Sequence, residues 1–204
     1  MQHELTRKRF VQLGIGLPLA AALVRFAPVS DAGAATAAPV AAAAASAASC
    51  KSLPLTPGAT EGPYFKAGAP RRSVLTEAGL AGTPLTLTGA VLTAGCVPIA
   101  RAHIDFWQAD ASGNYDNAGF RLRGYQLTDA KGRYSLKTIV PGLYPGRTEH
   151  IHVKITPPGR QALTTQLYFP GVTQNSADGI YNPATLLAWK KAGTGFAAQF
   201  TFVV

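Results

Sequence analysis

From residue 83 onward, hydrophobic and polar side chains alternate in short runs that Gly and Pro turns separate. Residues 83–93 (TPLTLTGAVLT) place leucines and a valine on one face and threonines on the other, and residues 102–108 (AHIDFWQ) alternate in the same way. Because successive side chains of a strand point to opposite faces, each run predicts a strand with one buried face. Gly89 interrupts the first apolar face and indicates a bulge there.

Further strands are predicted at short, regular spacing. They cover residues 133–139, 150–155, 164–169 and 200–204, and the turn at residues 128–132 precedes the first of them. One short helix is predicted over residues 183–191, with Asn182 as its cap and Pro183 in its first position. Together these elements predict an all-β fold, a β-sandwich of mixed or antiparallel strands with long loops and at most one short helix.

The N-terminal residues 1–49 have the pattern of an export signal rather than of a folded domain. A motif with three basic residues, at positions 6–10 (TRKRF), precedes an apolar run at 11–24 and an Ala-rich stretch at 32–49. The charged motif is similar to a twin-arginine signal with Lys8 in place of the second arginine, so Sec export stays an alternative. We expect a periplasmic or extracellular protein, with an uncleaved anchor as the alternative, and one folded domain over residues 50–204 without a stable membrane span.

Charge and cysteine content narrow the function classes. The formal charge is +9, but after residue 50 no basic run is longer than two residues. This scatter argues against a nucleic-acid-binding surface and is compatible with anionic aromatic substrates. Cys50 and Cys96 are the two cysteines, and in an exported protein we expect them to form a disulfide, with unpaired thiols as the alternative.

The histidines give the first indication of chemistry. His150 and His152 flank Ile151 directly after a turn rich in Pro and Gly. On a strand the two imidazoles share one face, whereas Ile151 points to the opposite face and can enter the core. Such a pair is as compatible with half of a metal site as with two structural histidines.

The anionic donors in the chain narrow the choice of metal. A mononuclear Fe(II) site adds one carboxylate to two histidines, but Glu149 is the last glutamate and Asp178 is the only acidic residue after it. A structural zinc site would need thiolates, and both cysteines are expected to be paired. Phenolate remains, and because tyrosine has an ordinary pKa near ~10, only a strongly Lewis-acidic ion keeps it deprotonated at neutral pH. Ferric iron fits this donor set best.

A series of motifs in fixed order resembles the intradiol ring-cleavage dioxygenases, the family of the catechol and protocatechuate dioxygenases. The motifs are residues 60–64 (TEGPY), 104–110 (IDFWQAD), 113–115 (GNY), 123–129 (RGYQLTD), 132–134 (GRY), 138–144 (TIVPGLY), 146–152 (GRTEHIH) and 165–169 (TQLYF). The resemblance covers most of the chain after the N-terminal segment. It implies a prealbumin-like β-sandwich and a mononuclear, non-haem Fe(III) cofactor.

The resemblance also implies roles for individual residues. The metal ligands would be two phenolates and two imidazoles, from Tyr115, Tyr144, His150 and His152. Tyr115 would stay bound, whereas Tyr144 would leave the iron when substrate arrives and accept a substrate proton. Arg147 matches a family arginine that stabilises negative charge on the substrate, and Gln166 matches a glutamine of the same pocket.

Several other residues are interpreted as structural. Trp107 is assigned to the core rather than to substrate contact. His103, Asp105 and Arg123 are interpreted as structural residues or as supports behind the ligands.

The reaction that the resemblance implies is cleavage of a catecholic ring with both atoms of O2, giving a cis,cis-muconate-type diacid. The alternative is a non-enzymatic transthyretin-like or carboxypeptidase-regulatory-like binding module, because these sandwiches share the Cys-x-Pro, Thr-Asp-x-x-Gly-x-Tyr and Pro-Gly-x-Tyr patterns. The sequence resembles a stand-alone catalytic core without the helical dimerisation domain of catechol-type members. The choice among catechols and the possibility of a homodimer stay open.

Overall fold

The computed structural model describes residues 54–204, so the predicted export segment and Cys50 lie outside the described residues. Two four-stranded sheets pack face to face in this part of the chain. Their strands, in chain order, are β1 (Pro84–Leu92), β2 (His103–Gln108), β3 (Arg123–Leu127), β4 (Arg133–Ile139), β5 (His150–Thr156), β6 (Leu163–Tyr168), β7 (Ala188–Ala192) and β8 (Gly195–Val203). The predicted fold class, an all-β sandwich, is confirmed.

The two sheets differ in strand direction. One has the order β3-β2-β5-β6 and is antiparallel throughout. The other has the order β4-β1-β8-β7, and in it β1 and β8 run parallel while the outer pairs are antiparallel. The first sheet carries both candidate histidines on β5, in the interior of the sheet between β2 and β6.

The core lies between the sheets and is built from the alternating apolar positions. Leu87 of β1, Ile104 of β2 and Ile151, Val153 and Ile155 of β5 are each 0% exposed. Burying an aliphatic side chain of this size stabilises a fold by about 1.5–3 kcal/mol relative to leaving it in water. The alternation on β5 is therefore fixed by the core, and its opposite face is free to carry the histidines.

The predicted helix over residues 183–191 is wrong. Asn182 does cap a turn, since its side chain accepts a hydrogen bond from the N–H of Ala184 at 3.0 Å, but only a short 3-10 turn follows, at Pro183–Thr185. The Leu187 N–H then donates to the carbonyl of Tyr168 at 2.9 Å, and the chain continues as β7 against β8. Pairing with a neighbouring strand thus overrides the local helix-start signal.

The structure differs from the sequence prediction at two further points in the strands. Strand β3 is absent from the prediction, because its sequence RGYQL buries an arginine and a glycine instead of alternating apolar residues. Gly89 forms no bulge, since β1 pairs without interruption with β4 and β8 around it. A Cβ atom at this position would lie 1.7 Å from the carbonyl oxygen of Phe200 and 2.9 Å from the Tyr134 hydroxyl, so the glycine permits close approach of two strands.

Among residues 54–204, no helix is long and apolar enough to cross a membrane. The predicted pairing of Cys96 with Cys50 involves a residue outside the described part of the chain and stays a prediction.

Candidate metal centre

The centre includes the first three residues of β5, where the strand alternation places the two histidines on one face. His150 and His152 are each 3% exposed, and their Nε2 atoms lie 3.1 Å apart. The ring of His152 stacks on Trp107, with ring centroids 4.8 Å apart and planes inclined by 7°. Trp107 is buried, as the sequence predicted for a core residue, and it also fixes the orientation of His152.

Tyr115 reaches the same point from the loop after β2. Its hydroxyl lies 3.2 Å from His150 Nε2. Two aspartates shape this loop. Asp110 accepts hydrogen bonds from the N–H groups of Ser112 and Asn114, which precede Tyr115, and Asp116 accepts three from N–H groups that follow Tyr115. Such turns, in which a carboxylate caps nearby N–H groups, hold short loops in one conformation. Tyr115 is therefore presented by a rigid loop.

Tyr144 comes from the loop between β4 and β5. Its ring centroid lies 5.9 Å from that of Tyr115, and its hydroxyl is hydrogen-bonded to the Tyr64 hydroxyl at 2.8 Å. The Tyr64 ring stacks on Tyr115, with centroids 4.4 Å apart and an interplanar angle of 11°. Tyr64 thus connects the two candidate phenolates. Tyr64 belongs to the family motif at residues 60–64, but the motif alone indicates no role for it. Only the fold brings Tyr64 next to Tyr115 and Tyr144.

Arg147 and Gln166 form a second group beside the histidines. The Arg147 Nη2 atom donates to Gln166 Oε1 at 2.6 Å, and its Nε atom donates to Asp178 Oδ2 at 2.8 Å. Gln166 is 0% exposed and lies directly across from His152 in the β5–β6 ladder. Sequence reasoning missed Asp178, although its standing as the only acidic residue after Glu149 was a usable signal.

Asp178 connects this second group to His150. Its Oδ2 atom also accepts the Thr148 N–H at 3.0 Å, and the carbonyl of Thr148 lies 2.6 Å from His150 Nδ1. A carbonyl can only accept, so Nδ1 carries the proton and the lone pair of His150 is on Nε2. This partner fixes the tautomer in the way that is usual for a metal-binding histidine.

Burial controls the protonation of these side chains. Burial lowers the pKa of His150 to about 4, while its contact with the Thr148 carbonyl acts weakly in the opposite direction. Burial and the proximity of His150 hold the pKa of His152 well below its usual range. Both imidazoles are therefore neutral near pH 7 and can offer lone pairs to a cation.

Two effects act in opposite directions on the pKa of Tyr115. Burial raises the pKa of Tyr115 well above that of a free phenol, and the nearby positive charges of Arg147 and Arg123 partly offset this effect. Without a cation at the oxygen, Tyr115 is a neutral phenol at neutral pH. Its ionisation thus calls for a strong positive charge at the point where the two imidazole nitrogens meet.

The donor set fits a hard trivalent ion. Two neutral imidazole Nε2 atoms and the Tyr115 hydroxyl oxygen converge, and the Nδ1 atom of His152 is buried without a hydrogen-bond partner in residues 54–204. In this part of the chain no group of three or more His, Cys, Asp or Glu residues could hold a metal. Any metal bound here must therefore use the phenol oxygens, and these are ligands that ferric iron accepts.

A cavity of about 370 Å³ opens beside Tyr144 and Arg147. The other residues that line it are Leu143, Pro145, Gly146, Gln174, Ala177 and Asp178. Cavities of a few hundred Å³ accommodate small organic ligands. Of the candidate site residues, Tyr144 and Arg147 line this cavity.

Comparison with known proteins gives consistent matches. The family described as Dioxygenase matches residues 60–186. A chlorocatechol 1,2-dioxygenase from Pseudomonas sp. (strain P51) is 29% identical over 174 residues, which cover 72% of this chain and 69% of that protein. Catechol 1,2-dioxygenase 2 from Acinetobacter lwoffii is 32% identical over 142 residues, covering 57% of this chain and 52% of the relative. The chain thus spans between about half and about two thirds of the length of these relatives.

Solved structures match over a similar region. The dioxygenase domain of a dioxygenase and carbohydrate-binding protein fusion from Streptomyces sp. SirexAA-E is 50% identical, with a TM-score of 0.73 over 74% of this chain and 98% of that domain. The 3-chlorocatechol 1,2-dioxygenase from Rhodococcus opacus 1CP is 30% identical, with a TM-score of 0.69 over 76% of this chain and 74% of that enzyme. The family match over residues 60–186 includes the strands and loops that build the centre.

Proposed function

The chain belongs to the intradiol ring-cleavage dioxygenases, and on that premise we propose that it cleaves catecholic rings with O2 at an Fe(III) centre. The proposed ligands are Tyr115, Tyr144, His150 and His152. The observation that carries the proposal is the convergence of three donor atoms. The Tyr115 hydroxyl lies 3.2 Å from His150 Nε2, and His150 Nε2 lies 3.1 Å from His152 Nε2. Bound Fe(III) supplies Lewis acidity toward a catecholate and orients it for reaction with O2.

Tyr144 acts as the proton acceptor in this proposal. Its oxygen takes a proton from a catechol hydroxyl, and the protonated Tyr144 remains held by the Tyr64 hydroxyl, its partner at 2.8 Å. A hydrogen-bond partner that is already in place would limit the motion of the protonated Tyr144 ring and keep the phenol close to the substrate. Tyr115, on its rigid loop, stays in place.

Arg147 provides positive charge on the substrate side of the centre. Its guanidinium is fixed by Asp178 and Gln166 before substrate arrives, with hydrogen bonds of 2.8 and 2.6 Å. A charge that is already oriented stabilises negative charge on the reacting ring without a reorganisation cost. Gln166 has a positioning role, because its Oε1 atom contacts Arg147 and its Nε2 atom donates to the Thr60 carbonyl at 2.9 Å.

The proposed substrates are catechols. The matched relatives are named for catechol, chlorocatechol, protocatechuate and hydroxyquinol. Space beside Tyr144 and Arg147, about 370 Å³, supports a ring that carries substituents. A panel of substituted catechols, followed by oxygen uptake and product absorbance, identifies the preferred member.

Reconstitution with Fe(III) tests the function directly. Tyrosinate ligation gives a burgundy colour, and we expect catechol-dependent O2 consumption from the coloured protein. The His150→Ala variant should lose both properties, whereas His103→Ala should keep both, because His103 is on the same sheet but outside the centre and its side chain is 37% exposed. A protein that stays colourless and holds no iron, or a His150→Ala variant with undiminished O2 uptake, would refute the proposal.

The alternative of a non-enzymatic transthyretin-like binding module is not favoured, since the matched relatives are ring-cleaving dioxygenases.

We further propose that the chain is exported. The support is the order of charged, apolar and small residues in the N-terminal segment. Fractionation of cells that express the full chain, with mass analysis of the N-terminus, tests this: intact protein confined to the cytoplasm would contradict it.

A further inference from the structure

Arg123 is an unusual residue for the interior of a β-sandwich. It opens β3 and is 2% exposed, among the largest fully buried side chains of residues 54–204. Arginine is almost never fully buried unless an anion accompanies it, because removal of its charge from water is costly. The groups that contact the Arg123 guanidinium therefore indicate why a charge is buried here.

The guanidinium has carbonyl partners but no carboxylate. Its Nε atom donates to the Asp116 carbonyl at 3.1 Å, and its Nη1 atom donates to the Tyr64 carbonyl at 2.5 Å. The ion pairs within residues 54–204 leave Arg123 out. The carboxylate of Asp116 turns instead toward the N–H groups of Ala118, Gly119 and Arg121.

The aromatic neighbour of Arg123 is a proposed metal ligand. Its guanidinium carbon lies 5.9 Å from the centroid of the Tyr115 ring. Through the same hydrogen bonds it ties the loop that carries Tyr115 to the segment that carries Tyr64, whose ring stacks on Tyr115. Arg147 is the other nearby cation. Its charge lowers the pKa of Tyr115 more than the charge of Arg123 does, but Arg147 is paired with Asp178 at 2.8 Å, whereas Arg123 forms no ion pair in residues 54–204.

We propose that Arg123 is the built-in counter-charge and positioning residue of Tyr115 in its metal-bound, anionic form. The proposal rests on the proposed Fe(III) function and adds a residue to it. Arg123 forms no ion pair in the described part of the chain, although the charge of the Asp116 carboxylate acts on it, so a phenolate at Tyr115 adds a second anion beside the buried guanidinium. Tyr144, in contrast, meets the neutral hydroxyl of Tyr64 at 2.8 Å. The two candidate phenolates therefore differ in their neighbours: Tyr115 faces a buried cation, whereas Tyr144 faces a neutral hydroxyl.

The colour of the iron-loaded protein reports on this charge. In the visible transition of an iron-tyrosinate, an electron leaves the phenolate ring for the metal. A cation that faces the ring stabilises the ground state more than the excited state, so its removal moves the band to longer wavelength. For one unit charge 5.9 Å from the ring, Coulomb's law in a partly buried site gives a shift on the order of 10 nm.

The experiment compares absorption spectra of the Fe(III)-loaded full chain and its variants, each normalised to bound iron. We expect Arg123→Gln and Arg123→Met to shift the band to longer wavelength, and Arg123→Lys, which keeps the charge, to stay closer to the unmodified protein. Arg121→Gln is the matched control, because it removes a positive charge two residues away whose side chain is 57% exposed. Its band should not move, since exposed charges are screened by solvent.

The outcomes distinguish a counter-charge role of Arg123 from a purely structural one, and both from failure of the iron function. Absence of a band in the unmodified protein refutes the iron function itself. A band present in the unmodified protein and unchanged in both neutral variants refutes the counter-charge role. If the neutral variants hold no iron, retention of iron and of the band by Arg123→Lys supports the role, and loss of iron from all three variants refutes it in favour of a purely structural arginine.

Discussion

Replacement of Asp178 by asparagine perturbs the support of Arg147 while it preserves side-chain size. The Asp178 side chain is 2% exposed. Its Oδ2 atom accepts from Arg147 Nε at 2.8 Å and from the Thr148 N–H at 3.0 Å, and its Oδ1 atom accepts from the Ile180 N–H at 3.0 Å. Asparagine has one acceptor oxygen for these donors, so at least one donor loses its partner and Arg147 loses its counter-ion.

The cost in stability follows from these contacts. Removal of one partner from a buried ion pair costs about 3–5 kcal/mol. Because the Arg147 side chain keeps 19% exposure to water, we expect the lower end, about 3 kcal/mol. For a domain of this size that is a fall in Tm of roughly 6–12 °C, which calorimetry measures.

The cost in activity should fall on kcat. Arg147 acts on charge that develops during the reaction, so its displacement weakens the transition state more than the bound substrate. We expect a roughly 10- to 100-fold loss of kcat with a smaller change in KM. Asp129→Asn is the matched control: Asp129 also pairs with an arginine and accepts backbone N–H groups, but in an exposed hairpin where its partners are Lys131 and Arg133 rather than residues of the centre. Its kcat should be unchanged.

The pH dependence supplies a second readout for Asp178. Burial alone would raise the pKa of Asp178, but hydrogen bonds from the Thr148 and Ile180 N–H groups and from Arg147 outweigh it and lower the pKa. The folded state thus gains stability above the ordinary Asp pKa of ~3.9 and loses it as the pH falls below that value. Asp178→Asn should weaken this acid sensitivity. A variant that is destabilised as expected but keeps its kcat would refute the positioning of Arg147 by Asp178.

Three further predictions follow from packing, hydrogen bonding and burial. Gly89→Ala should destabilise the fold by about 3 kcal/mol or more, because the added methyl group overlaps the Phe200 carbonyl. Tyr64→Phe should lower kcat roughly 2- to 10-fold through loss of the hydroxyl that holds Tyr144. Burial lowers the pKa of His150 to about 4, so the unfolded chain binds more protons between that pH and ~6.5, and the metal-free protein should lose about 3 kcal/mol as the pH falls through this range.

Each of these predictions has a control. Gly95→Ala is the control for packing, since a Cβ atom there would meet only ordinary contact at 3.8 Å, and an equal loss of stability in both variants would contradict the packing argument. For Tyr64→Phe, an unchanged kcat would show that Tyr144 needs no partner. For the histidine, chemical denaturation at several pH values should show a flatter profile in His150→Gln, and an identical profile would count against the neutral, buried imidazole.

The sequence by itself determined the sandwich and the identity of most residues that meet at the centre. Alternation on residues 150–155 fixed which side of β5 faces the core, because a slip of one residue would expose every apolar side chain. The same alternation placed His150 and His152 together. Family motifs then singled out Tyr115, Tyr144 and Arg147, whose spacing along the chain gives no sign that they meet.

Only the tertiary structure decided which residues support that centre. Asp178, Tyr64 and Arg123 contact their partners across 31, 80 and 59 positions of the chain, and no local pattern reports such pairs. The strand at residues 188–192 formed where Asn182 and Pro183 indicated a helix, because hydrogen bonds to β8 outweigh local helix preference. Local periodicity specifies faces, but long-range contacts specify which charges and hydroxyls those faces meet.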